Sequence, residues 1–210
     1  EVTELKKSYV PVSTTHNTPG QWKFKDLNHD DVLSEADMVV LGKSTPDFTF
    51  GFTNNFTFYK NWQLSFFFQG ACGFQVLNLT KAVTAGWIGA NSRTDWYEHR
   101  WTLTNQHNDA NYPASGMNEA AGKINDIMVE DGDYIRLQNL TLSYAIPVEK
   151  FKFIQKCSVY LSGSNLFILT KYSGQDPEVN VLGSNFQTPG VDLGAYPKPK
   201  SVTFGLDITF

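Results

Sequence analysis

The 210 residues carry a formal charge of −4 spread along the chain, with no basic patch, so nucleic acid is not an expected partner. No apolar run approaches the roughly 18 residues that a membrane-crossing helix needs. Yet Phe 16, Tyr 9 and Trp 5 make the chain rich in aromatics, a combination that suits a membrane β-barrel, where half of each strand is polar, or a secreted β-sandwich. The chain opens on Glu1 and shows no charged-then-apolar leader, so a processed or partial chain is expected. Cys72 and Cys157 are too few for a disulfide framework and read as small apolar strand residues.

Residues 1–46 are polar and turn-rich, with one extended run at Tyr9–Val12 that would make a sixth strand. From Asp47 the pattern changes. Phe48, Phe50, Phe52, Phe56 and Phe58 alternate with Thr49, Gly51, Thr53, Asn55 and Thr57. Period two predicts a strand over 47–58 with one apolar and one polar face, broken only by Asn54. A tight turn at Lys60-Asn61 leads to a strand over 62–74, where Trp62, Leu64, Phe66 and Phe68 oppose Gln63, Ser65 and Gln69, and Phe67 breaks the polar row. Two such strands on so short a link form a hairpin.

Residues 75–132 lack sustained alternation and are too long for a simple connection, so they are expected to be functional or folded on themselves. Alternation returns over 133–146, with Leu140, Leu142, Tyr144 and Ile146 on one face. Ile135 and Leu137 have the opposite parity, which predicts a bulge near Gln138. A turn over 147–154 leads to a strand over 156–169, with Val159, Leu161, Phe167 and Leu169 on one side. A second long loop, 170–200, contains Asp176-Pro177, Pro189-Gly190 and Pro197-Lys198-Pro199. The last strand, 201–210, alternates Val202, Phe204, Leu206, Ile208 and Phe210 with Thr203, Gly205, Asp207 and Thr209.

Loop length favours the barrel. The links at 59–61 and 147–154 are short and those at 75–132 and 170–200 are long, as in a barrel with short periplasmic turns and long external loops. Strands of about 10 residues match a tilted membrane strand. A terminal aromatic, Phe210, with apolar residues at every second position before it, resembles the signal read by the outer-membrane insertion machinery. Phe50, Phe52, Phe56, Phe58, Leu64, Phe66, Phe204, Leu206 and Ile208 are then expected to face lipid, and Thr49, Thr53, Gln63, Thr203 and Asp207 the lumen. Cys72 and Cys157 fall at opposite ends of their strands and are not expected to bridge.

The strongest constellation of ligand-type residues is Asp26, Asn28, Asp30, Val32 and Asp37. With Asp26 as position one of an EF-hand-type loop, they take positions one, three, five, seven (through the Val32 carbonyl) and twelve, with Ser34 at nine. Hard oxygen ligands at this spacing point to Ca²⁺. Asp31 stands where glycine is usual, and Asp37 where a longer Glu is usual. The competing reading is a loop held by Asx turns. Trp87, Trp96, Trp101 and Tyr112 are candidates to stack on sugar faces, or else to pack the loop itself. His16, His29, His99 and His107 show no metal or triad spacing, and no catalytic arrangement is recognisable, so no enzyme activity is expected.

Three stretches resemble the SusC/RagA family of TonB-dependent importers. The first is Asp26-Leu-Asn-His-Asp30 followed by Gly42-Lys-Ser-Thr-Pro-Asp-Phe48 entering a strand. The second is Asp131-Gly-Asp-Tyr-Ile-Arg-Leu-Gln-Asn-Leu-Thr-Leu-Ser-Tyr144. The third runs from Val159 to Tyr172 and on to Gly174-Gln-Asp-Pro-Glu178. The resemblance implies an all-β fold, the C-terminal segment of an antiparallel transmembrane barrel of about 22 strands. It places the chain in the outer membrane of a Gram-negative cell. Residues 1–46 would form an external loop region and 47–210 barrel strands and loops. The implied partners are the N-terminal strands and plug of the same barrel, a SusD-like surface lipoprotein, TonB acting through the plug, and outer-membrane lipid. The implied function is import of oligosaccharides or peptides. Five or six strands are fewer than the eight of the smallest bacterial barrels, so other strands would be required to close the sheet. The alternative is a secreted calcium-dependent β-sandwich that binds glycans as a soluble monomer.

Overall fold

The computed structural model describes residues 19–20, 24–31, 35–85, 91–104, 112–114, 125–150, 153–180 and 189–210. The Tyr9–Val12 run, Val32, Ser34 and Trp87 lie outside them. The chain divides into two compact units, one of residues 43–76 with 130–210 and one of residues 1–42 with 77–129.

The first unit is built on a sheet of five long strands. These are β1 (Phe48–Phe58) and β2 (Trp62–Cys72), then, beyond the short β3 (Gln75–Asn78) and β4 (Val129–Asp131), β5 (Tyr134–Ile146) and β6 (Lys156–Thr170) and, after the two-residue β7 (Val191–Asp192), β8 (Ser201–Thr209). The long strands pair antiparallel in the order β1-β2-β5-β6-β8, so each neighbours the next long strand of the chain. The short ones pair in the order β4-β3-β7. The five strand spans read from alternation are all present, within a residue or two at their ends.

The register assigns every side chain to a face, because directly paired residues of an antiparallel sheet point the same way. Phe52 pairs with Phe68, Phe56 with Leu64 and Phe58 with Trp62. Trp62 pairs with Tyr144, Leu64 with Leu142 and Phe66 with Leu140. Leu142 pairs with Leu161, Leu161 with Phe204 and Val159 with Leu206. One apolar face therefore crosses all five strands. The opposite face carries Thr49, Thr53, Gln63, Ser65, Thr141, Ser143, Ser162, Thr203 and Asp207, and on it the Thr141 and Ser162 hydroxyls lie 2.8 Å apart.

The bulge lies where parity demanded it. Phe67 pairs with Asn139 but Phe68 with Leu137, so β2 skips Gln138. On the other side the register shifts again at the same place, since Leu137 pairs with Phe167 and Asn139 with Ser164, which sets Asn165 and Leu166 of β6 opposite Gln138. The skipped residue reverses the alternation and returns Ile135 and Leu137 to the apolar face. Two large side chains on the polar face also have a reason. A Cβ at Gly205 would overlap the Tyr160 ring that its strand partner lays over it, and Phe67, the partner of Thr53, reaches diagonally over Gly51, where a Cβ would meet its ring at 3.1 Å. Each aromatic covers backbone that a glycine leaves bare.

Connections segregate as expected. Tyr59 and Lys60, both in the left-handed region (φ 47° and 62°), turn β1 into β2 within three residues. The long connections leave from the other end of the sheet. Cys72, paired with Phe48, is at that loop end, Cys157, paired with Ile146, is at the turn end, and both are free.

The sheet does not close into a barrel. Among the described residues nothing pairs with the outer edge of β1 or β8. Its apolar face is bare: Val202 and Phe204 are 71% and 73% exposed, and Phe48, Phe52, Leu161 and Leu169 are all exposed. A sandwich would bury this face against a second sheet. Among the described residues no sheet covers it, which removes the support for the sandwich alternative.

The second unit holds two six-residue helices, α1 (Leu79–Thr84) and α2 (Thr94–His99). Asn78 caps α1, its Oδ1 accepting from the Lys81 N–H at 2.8 Å. Lys81 Nζ donates to the Ile127 carbonyl at 3.2 Å. Ala85, Trp96 and Tyr112 form a small buried cluster. The described residues of this unit thus pack on one another.

Candidate functional site at the loop end

At the loop end of the first unit, the chain after β6 folds onto the polar face of the sheet. Arg136 on β5 is 3% exposed. A buried guanidinium is costly unless it is paired; Nη2 is paired twice, while the buried Nε finds no acceptor among the described residues. Its Nη2 donates to Asp176 Oδ1 at 2.7 Å and to Glu178 Oε2 at 2.8 Å. Lys198 Nζ donates to the same Glu178 oxygen at 2.7 Å. Asp176 is 5% exposed, and its Oδ1 also accepts from the Glu178 N–H at 3.0 Å. Gln69 on β2 reaches Glu178 Oε2 at 3.4 Å, and the Arg136 guanidinium sits over the Tyr134 ring at 5.6 Å.

Apolar packing accompanies the charges. Ala71, Phe74, Val76, Tyr134, Tyr172 and Val179 form one buried cluster, with Ile168 and Ala195 against it. Pro177 is fully buried. Tyr172 donates its hydroxyl to Asp192 Oδ2 at 2.6 Å. Burial pushes the Tyr172 phenol up, and the hydrogen bond to Asp192 and the charge of that carboxylate add to the rise, so it is a proton donor at neutral pH. Ser173 is held by Glu130, its Oγ donating to Oε1 and its N–H to Oε2, both at 2.8 Å. The sequence did not single out Arg136, Asp176 or Glu178 as a cluster, though each lies in a quoted motif.

The Asp26–Asp37 loop has the geometry of a loop wound on its own carboxylates. Asp26 is buried, and its two oxygens accept from the His29 N–H at 2.7 Å and the Asp31 N–H at 2.9 Å. Asp37 Oδ1 accepts from the Leu27 N–H at 2.8 Å and the Asn28 N–H at 3.4 Å. Asn28 and Asp30 exchange two bonds, at 2.9 and 3.0 Å. Asp31 takes φ 61°, the conformation for which glycine is usual at that position. Among the described residues, no group of three or more His, Cys, Asp and Glu is gathered at metal-ligand spacing.

Of the candidate stacking aromatics, Trp96, Trp101 and Tyr112 are buried in the second unit. The Trp101 N–H donates to the Tyr112 carbonyl at 3.0 Å. The Tyr112 hydroxyl donates to Asp95 Oδ2 at 2.8 Å. Burial pushes the Asp95 carboxyl up, but the Tyr112 hydroxyl and the Arg93 guanidinium outweigh it and hold Asp95 below the usual carboxylate range. Arg100 stacks over Trp96 at 5.0 Å and Tyr97 at 4.2 Å. Trp96, Trp101 and Tyr112 thus pack within the described part of the loop.

Against known proteins, no protein-family model matches the chain. Curated relatives do. The chain is 38% identical over 199 residues to TonB-dependent receptor P3 of Formosa agariphila and 37% identical over 201 residues to TonB-dependent receptor P26 of the same organism. It is 24% identical over 211 residues to TonB-dependent receptor SusC of Bacteroides thetaiotaomicron. These matches take in 91%, 91% and 96% of the chain, which spans about a fifth of the length of each relative. Among solved structures, the RagAB peptide importer in its closed-closed state matches with a TM-score of 0.66 at 27% identity, covering 80% of this chain and 18% of that one. Its open-open state gives a TM-score of 0.64. By sequence over nine-tenths of its length, and by the fold of its sheet, the chain is a SusC/RagA-like TonB-dependent receptor segment.

Proposed function

We propose that the chain forms C-terminal wall and external loops of an outer-membrane nutrient importer. Its apolar face meets lipid and its polar face lines the lumen. The observation that carries this is the register-matched apolar face across all five long strands. β1 has 11 residues. At roughly 3.3 Å per residue and a tilt of about 40°, such a strand covers about 25 Å along the membrane normal, the height of the apolar band of such barrels.

In this reading the remaining strands of the same protein pair with the outer edges of β1 and β8. In hydrocarbon each unpaired backbone group costs several kcal/mol, so the open edges cannot stand alone. TonB acts through a plug elsewhere in the receptor, and a SusD-like lipoprotein covers the external mouth. The cargo is a peptide or an oligosaccharide. The solved importer's description as a peptide importer supports the peptide arm.

Deleting the full-length receptor from its host, then scoring growth on a peptide mixture and on mixed oligosaccharides, tests the function. Loss of growth on one of them, restored by the gene, is expected. A receptor found in the soluble fraction, or unchanged growth on both, would contradict it.

We also propose that the Asp26–Asp37 loop takes a divalent cation, most favourably Ca²⁺. The left-handed Asp31 supports this, since it supplies the sharp turn that such a loop needs at its sixth position.

A further inference from the structure

We infer that the segment Tyr172–Val179 is a fixed strap that narrows the external mouth of the lumen, locked to the wall by Arg136. The inference rests on the importer reading, in which the polar face lines the lumen. Its basis is where the strap is anchored. The wall residues it bonds, Gln69 and Arg136, and those that share its buried cluster, Ala71, Tyr134 and Ile168, come from β2, β5 and β6, and the register puts all of them on the polar face. The strap therefore turns inward, over the lumen side. It does not rise from the rim toward solvent.

The anchor is unlike a surface ion pair. Asp176 and Arg136 are both buried, Pro177 between the two carboxylates is fully buried, and Val179 is 8% exposed. Releasing the strap would leave the Arg136 guanidinium on the wall without its two carboxylates, and would expose the apolar residues packed with it. Tyr172 and Ser173 hold its first end through Asp192 and Glu130. At the other end the Val179 carbonyl accepts from the Gly190 N–H at 3.0 Å, and a segment tied at both ends and in its middle is built to stay closed. Ala71 and Ile168, apolar residues on a polar face, are thereby explained as part of the buried cluster that holds Tyr172 and Val179.

The test uses the full-length receptor in its own outer membrane, with Cys72 and Cys157 replaced by Ala. Val179→Cys, buried at the strap's far end, and Gln175→Cys, exposed on the strap, are labelled from outside with a membrane-impermeant maleimide. Labelling is compared in energised cells and in cells treated with a protonophore. Val179→Cys is expected to react at least tenfold more slowly than Gln175→Cys in both states. Rapid reaction of Val179→Cys in energised cells would overturn the strap's fixed character. No labelling of Gln175→Cys would instead overturn the importer reading itself. The double variant Asp176→Asn with Glu178→Gln is then assayed for entry of vancomycin, a bulky polar probe. Entry is expected to rise at least fourfold as Val179→Cys becomes reactive. A reactive Val179→Cys with unchanged entry would overturn the narrowing.

Discussion

Arg136 and Asp176 lie 40 residues apart in the chain and meet at 2.7 Å, joining β5 to the loop after β6 through a buried ion pair. Each sits in one of the motifs that relate the chain to its family, so the two motifs are halves of one contact. Breaking a buried pair from one side strands the other charge. Arg136→Ala is expected to lower the stability of the full-length receptor in detergent by about 3–5 kcal/mol, and Asp176→Ala by a similar amount. Replacing both, as Arg136→Met with Asp176→Leu, should cost less than the two single changes together, because no charge is left alone. Denaturant unfolding of the four proteins completes the cycle. Single changes costing under about 1 kcal/mol, the range of an exposed pair, would show that the pair is not buried in the folded receptor.

Lipid and lumen faces should differ in what they tolerate. Phe204→Arg puts a charge on the apolar face and is expected to cost about 2–4 kcal/mol near the bilayer midplane. Thr203→Arg, one residue away on the polar face, should cost much less. Refolding equilibria in lipid vesicles give both values, and similar costs would contradict the face assignment.

Gly205 is required by Tyr160. Gly205→Val should destabilise by about 1–3 kcal/mol through overpacking against that ring. Tyr160→Ala in the same protein should relieve most of the loss. If the second change adds to the first, the close approach of ring and glycine is not what limits this position.

Calcium should bind the Asp26–Asp37 loop. Calorimetric titration of the intact receptor is expected to show uptake of Ca²⁺ that disappears in Asp26→Ala with Asp30→Ala. Identical titrations would leave the loop as a set of Asx turns, held by the bonds from His29, Asp31, Leu27 and Asn28.

The wall was legible in the sequence because a strand between lipid and water must alternate with period two. Phe48 to Phe58 and Val202 to Ile208 state it openly. The reversal at Gln138 was legible for the same reason, since only an inserted residue lets Ile135 and Leu137 share a face with Leu140. The strap was not legible. No local signal marks Ala71 or Ile168 as members of a buried cluster, and no local spacing links Arg136 to a carboxylate 40 residues on. The helices α1 and α2 are six residues each, too short to show a 3.6-residue period. The burial of Trp96, Trp101 and Tyr112 depends on contacts of the folded loop and has no signature in their spacing.

The central claim is that one face of this sheet lies in lipid and the other in water. It is tested most directly by spin labels placed singly at residues 202 to 208 of β8 in the full-length receptor in bilayers. Collision with oxygen, which concentrates in lipid, is compared with collision with a polar nickel chelate. Positions 202, 204, 206 and 208 should favour oxygen and positions 203, 205 and 207 the nickel chelate, in strict alternation. Uniform access to the nickel chelate along the strand, or the opposite phase, would contradict the account.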